Sequence, residues 1–168
     1  MSHTNALLER LAQIQVLIEV PGALRPNVIL AEPYEPSDTS SAVCPFFINE
    51  IHGGPSNLPI SAGQQYLQED IWMVLCVRRV EAGTNWKLTL KETVAWRDAV
   101  YAAFAERVRL SNPADDELPG NAHVGLPFVV DGVINRWDPI KYVYGTNEYA
   151  ALKFIFHVNE MFVTTIAD

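Results

Sequence analysis

The sequence predicts an α+β fold, with one antiparallel β-sheet packed against two main α-helices. Three observations support it. Apolar residues recur at helical spacing in two segments, one near the start and one in the middle of the chain. Strand-like runs lie between those helices and after the second, without the regular strand–helix alternation of a parallel sheet. Short turns join the last strands, which favours an antiparallel meander. With 168 residues, 49% of them hydrophobic, the chain suits a single domain, residues 1–168, around one core.

The first helix places Leu7, Leu11, Ile14 and Ile18 at spacings of four, three and four, and Leu8 and Leu17 widen the stripe. Asn5 or Thr4 is the expected N-cap and Pro21-Gly22 the stop. Residues 21–42 read as an irregular, proline-rich segment with a short strand at Asn27–Ala31. Long connections of this kind often contact partners. Val43 to Ile51 is strand-like, and QQYLQEDIWMVLCVRRV at 64–80 is the strongest strand signal. Nearly every side chain from Ile71 to Val77 is apolar, so both faces of that strand are expected to be covered.

The second helix is expected to open on a capping box, Thr89-Leu90-Lys91-Glu92. Leu90, Val94, Tyr101, Phe104 and Val108 form its apolar stripe, and Ser111-Asn112-Pro113 ends it. A polar loop occupies 111–127. Then come a strand at 128–138 ended by Pro139, a short strand at Lys141–Tyr144, and a turn at Gly145-Thr146-Asn147. In the last strand, Tyr149 to Phe162, even positions are apolar apart from Glu160, whereas Lys153, His157 and Asn159 make a half-wet face.

The formal charge is −8, from 20 acidic and 12 basic residues, a poor balance for gripping phosphate backbones. The two cysteines, Cys44 and Cys76, have no second Cys or His at ligand spacing and read as buried free thiols. No apolar stretch approaches the roughly 18–20 residues that span a bilayer, and the N-terminus carries charges where a signal peptide would be apolar.

EIHGGPSNLPISAGQQ, residues 50–65, contains an HGG turn that in some hydrolases shapes an oxyanion hole. That use needs a nucleophile elbow, and no GxSxG occurs in the chain. The stretch therefore reads as a connection between strands. His3, His52, His123 and His157 are scattered, and Glu50 with His52 is only a two-residue coincidence of strand alternation, so no metal is expected. Neither GxGxxG nor GxxxxGK[ST] is present, and no cofactor is expected. Trp72, Trp86, Trp96 and Trp137 are spread over different elements without interleaved basic residues, which suits core packing and protein interfaces.

The succession NALLERLAQIQVLI, QEDIWMVLCVRRV, TLKETVAWRDAVYAAFAERV and INRWDPIKYVYGTNEYAALKFIFHV resembles the tail terminator and head–tail joining (neck) proteins of long-tailed bacteriophages. The similarity is one of layout over about residues 5 to 162. It implies a non-enzymatic virion protein that forms a homo-oligomeric ring, commonly a hexamer. Such a ring caps the tail tube protein, meets the neck or connector, and lets DNA pass through its lumen. By that reading strand faces and loops make the contacts, with His52, Gly53, Gly54, Pro55, Asn57, Tyr66, Tyr142, Tyr144 and Tyr149 as candidate interface residues. The alternative is a small ligand-binding or enzymatic α+β domain with a pocket between sheet and helix.

Overall fold

The structure, a computed structural model, describes residues 3–29, 43–52, 58–61, 64–105 and 129–163. In chain order these form α1 (His3–Gln15), β1 (Asn27–Ile29), β2 (Phe46–His52), β3 (Leu58–Ser61), β4 (Gln64–Arg79), α2 (Trp86–Ala105), β5 (Val129–Tyr144) and β6 (Asn147–Val163). The sheet order is β1-β2-β4-β6-β5, with β3 pairing onto β4. The fold is α+β. Every described strand pair is antiparallel except β1 with β2. The sheet is thus antiparallel as expected, with that one parallel pair added at its edge. The connection between β1 and β2 exceeds the dozen residues needed to carry a chain back to the end where it started.

Further differences have local causes. The helical spacing of α1 persists to Ile18, but the helix stops at Gln15; Leu17 and Ile18 donate to carbonyls three residues back, a tighter turn that still buries Ile18. Because α1 starts at His3, Thr4 and Asn5 lie within it and neither is its N-cap. The connection read at 50–65 contains a strand, β3, whose residues Leu58 and Pro59 pair with Tyr66 and Gln65. Pro139 does not divide the segment after residue 128: β5 runs through it as an edge strand, where a missing N–H can face the open side.

Another difference concerns α2. Its cap is Asn85, whose side-chain oxygen accepts from the Leu88 amide at 3.2 Å, so the capping box at Thr89 is not used. The buried line is Thr89, Thr93, Trp96, Val100 and Phe104. Thr89 and Thr93 can be buried because their hydroxyls donate to the carbonyls of Asn85 and Leu90. Leu90 and Val94, expected inside, are 64% and 39% exposed. Val108 lies outside the described residues.

Strand alternation sorts the remaining side chains. Ile71, Met73, Leu75 and Val77 face the same way as Leu152, Phe154, Phe156 and Val158, and α1 and α2 cover them. Full burial of Phe154 or Phe156 contributes about 1.5–3 kcal/mol relative to exposure. Gly132 on β5 belongs to this packing, because a Cβ there would stand 2.7 Å from Phe156 Cζ. On the other face, Phe46, Ile48, Val74, Cys76 and Ala151 form a second cluster beneath Tyr144 and Tyr149. Gly145, at φ +61°, forms the tight β5–β6 turn with Thr146.

Candidate functional site

The face of the sheet away from the helices is apolar near the β5–β6 turn and becomes polar and aromatic toward the opposite end. Strand register sets its rows. Glu50, Trp72 and Ile155 lie side by side across β2, β4 and β6, and the next row is His52, Asp70, His157 and Val133. Tyr142 is far from these rows along β5, opposite Tyr149, yet its hydroxyl donates to Glu50 Oε1. The end of the hairpin therefore curls over the outer face. Bulges between Cys76 and Arg78 and between Ile134 and Arg136 supply bends of that kind.

Each charge in these rows has a partner. His52 Nε2–H donates to Glu50 Oε2 at 3.0 Å, and its ring stacks on Trp72 with centroids 3.5 Å apart. Lys153 reaches the same Trp72 ring from β6, its Nζ 4.3 Å from the centroid. His157 Nδ1–H donates to Asp70 Oδ1 at 2.7 Å, and Arg136 Nη2 to Asp138 Oδ1 at 2.9 Å. Burial, and then the bond to Glu50, push the Tyr142 hydroxyl far above its ordinary range, so it stays a donor. These pairs hold side chains in fixed positions on a half-exposed surface. Among the described residues, each of these histidines bonds to a carboxylate.

A second surface lies on α2. Trp86, Leu88, Leu90 and Val94 are all turned outward. On one side Leu88 borders a groove of about 400 Å³ toward the α1–β1 connection, walled by Leu24, Cys44, Arg78 and Trp96. Inside it Arg78 holds Glu92 through two nitrogens, with Nε 3.0 Å from Oε2. On the other side Trp86 and Leu90 border a hollow of about 270 Å³ with Pro139 and Ile140 of β5.

Of the residues expected at an interface, the structure brings His52 and Tyr142 together through Glu50. Tyr144 and Tyr149 do not serve as exposed contacts: they are 7% and 1% exposed and pack on Phe46 at centroid distances of 5.9 and 5.1 Å. The turn brings both rings back over the second cluster, which strand alternation alone does not reveal. The Tyr66 backbone pairs with Leu58 and Met161. Gly53, Gly54, Pro55 and Asn57 lie outside the described residues, as do His123 and the 111–127 loop. Sequence reasoning missed Trp72, Lys153 and Asp70 as one surface, because only strand register juxtaposes them.

Two other features are chemical rather than superficial. Burial pushes the Cys44 thiol up to about 11 and Cys76 higher still, which disfavours the reactive thiolate. Glu69 and Glu160 are buried on the helix side, where Glu69 Oε2 and both Glu160 oxygens have no hydrogen-bond partner among the described residues. Burial first, and the neighbouring Glu69 second, raise Glu160 to about 7. Among the described residues no three His, Cys, Asp or Glu side chains converge as a metal site, and no helix is long and apolar enough to cross a membrane. No protein-family model matches the chain, and no curated protein sequence matches it either.

Proposed function

We propose that the protein is a structural ring subunit of a long-tailed bacteriophage or related particle, acting as a tail terminator or head–tail joining protein. The observation that carries this reading is the outward-facing apolar set on α2. A two-layer domain working alone gains from burying Leu90 and Val94, whereas a subunit of an assembly gains by presenting them. The element order, helix, strands, helix and long hairpin, is compatible with the layout of that family. In this role the subunit binds copies of itself, the tail tube protein and a neck or connector protein, and DNA passes through the lumen without specific binding.

The test is native mass spectrometry over a range of protein concentrations, followed by electron microscopy with tail tubes. Closed oligomers of uniform size that cap tube ends are expected; a strict monomer, alone and with tubes, would overturn the proposal. The 400 Å³ groove favours a second reading, a small ligand-binding or enzymatic domain. A thermal-shift screen with no hit whose stabilisation depends on Arg78 would count against it.

A further inference from the structure

We propose that the groove between α2 and the α1–β1 connection binds a small organic carboxylate, with its carboxyl group on Arg78 and Lys91 and its apolar body on Leu24, Leu88 and Trp96. It rests on the second reading above, for which it names a ligand class, and it is independent of the ring.

The groove holds about 400 Å³, within the roughly 300–1,000 Å³ of small-molecule sites. Leu24 on the α1–β1 wall and Leu88 on α2 are 67% and 43% exposed, so a ligand lying between them covers hydrocarbon that the chain leaves in water. The rim at Gly22 is open. At φ +79° that residue turns the chain, and a Cβ there would meet nothing within 4 Å.

The polar half of the lining is short of acceptors. The bulge at Val77 lets Val77 and Arg78 both face α2. Of the five N–H donors in a guanidinium, Arg78 commits two to Glu92 and thereby occupies both of that carboxylate's oxygens. The others have no acceptor among the described residues. Lys91, exposed on the same wall, has no ion-pair partner among the described residues. Trp96 lines the groove as well, and its indole N–H has no acceptor among them either.

Charge selects the ligand. Arg78 neutralises Glu92, which leaves the charge of Lys91 uncompensated, on a chain whose formal charge is −8. An ammonium group would find no free carboxylate in the lining and one repelling cation. A neutral apolar molecule would leave the donors unused. A carboxylate brings two acceptor oxygens to charged donors, which makes the stronger kind of hydrogen bond, and its body fills the apolar part.

The experiment is a heteronuclear NMR titration of the full chain with benzoate, with benzyl alcohol and benzylamine as the matched neutral and cationic probes. Benzoate is expected to shift the backbone amide signals of residues 20–24 and 88–96 saturably. Benzyl alcohol should bind there at least about tenfold more weakly, and benzylamine not at all. Two variants at exposed positions, Lys91→Gln and Leu88→Glu, separate the two halves of the site, and circular dichroism checks that each folds. Lys91→Gln should weaken benzoate about tenfold without changing benzyl alcohol, and Leu88→Glu should abolish benzoate binding. Binding of the alcohol or the amine as tight as that of benzoate overturns the carboxylate class while the groove remains a ligand site. Benzoate binding that either variant leaves unchanged overturns the assigned contacts. No saturable shift in those residues with any of the three probes removes the ligand site itself, and the ring reading, tested by native mass spectrometry, is unaffected.

Discussion

The two faces of the sheet treat charge in opposite ways. On the helix side the packing is apolar from Val77 to Ile71 and then meets Glu69 and Glu160, buried with three oxygens that have no partner among the described residues. On the open side Glu50, Asp70 and Asp138 each bond to a tyrosine, histidine or arginine. Desolvation explains the difference. A carboxyl removed from water without a partner is driven to keep its proton, whereas one given a donor exchanges hydration for a hydrogen bond. The dry face supplies stability and the paired face supplies a surface.

Three measurements can break or sharpen that contrast. The largest effect belongs to the dry core. Phe154→Ala should cost about 3–5 kcal/mol in urea unfolding, through lost burial and the cavity left between sheet and α2. A loss below about 1 kcal/mol would mean that the helix layer is not the main source of stability.

The next effect depends on pH. Glu160 rises from an ordinary value of 4.5 to about 7 on folding. Between those values the folded chain holds a proton that the unfolded chain has released, so stability falls as pH rises and levels off above about 7. Below 4.5 the favourable contribution is fully present. Glu160→Gln should flatten this slope and stabilise the protein at pH 8 by on the order of 2 kcal/mol. A wild-type unfolding midpoint that does not change between pH 5 and 8 would show that the carboxyl gains hydration or a partner in the fold.

The smallest effect belongs to the paired face. Tyr142→Phe removes the hydroxyl that caps Glu50 and should cost about 1 kcal/mol, read from the same urea curves. No measurable change would indicate that water replaces the tyrosine, and that the hairpin curl does not depend on this bond.

Much of the architecture was legible from periodicity. The run from Ile71 to Val77 and the even-numbered face of β6 predicted the two central strands, and Leu7, Leu11 and Ile14 predicted α1 and its buried side. These readings work because burial imposes a spacing of two on strands and near 3.6 on helices, whatever lies opposite. The rotation of α2 was not legible. Leu90 and Val94 look like core residues by hydropathy, and Thr89 and Thr93 do not. Only their hydroxyl bonds to the preceding turn, together with the ring of Trp96 inside, reverse that assignment.

The open face was less legible still. Glu50 and His52 were visible as neighbours on one strand, but Trp72, Asp70, Lys153 and His157 join them through register across β2, β4 and β6. The sequence by itself determined the two helices, the two central strands and the α+β class, because those depend on local spacing. Only the tertiary structure decided the parallel β1–β2 pair, the passage of β5 through Pro139, the burial of Tyr144 and Tyr149, and the outward turn of α2. Each of these depends on which distant segment lies alongside, and pairing between distant segments leaves no periodic trace in either one.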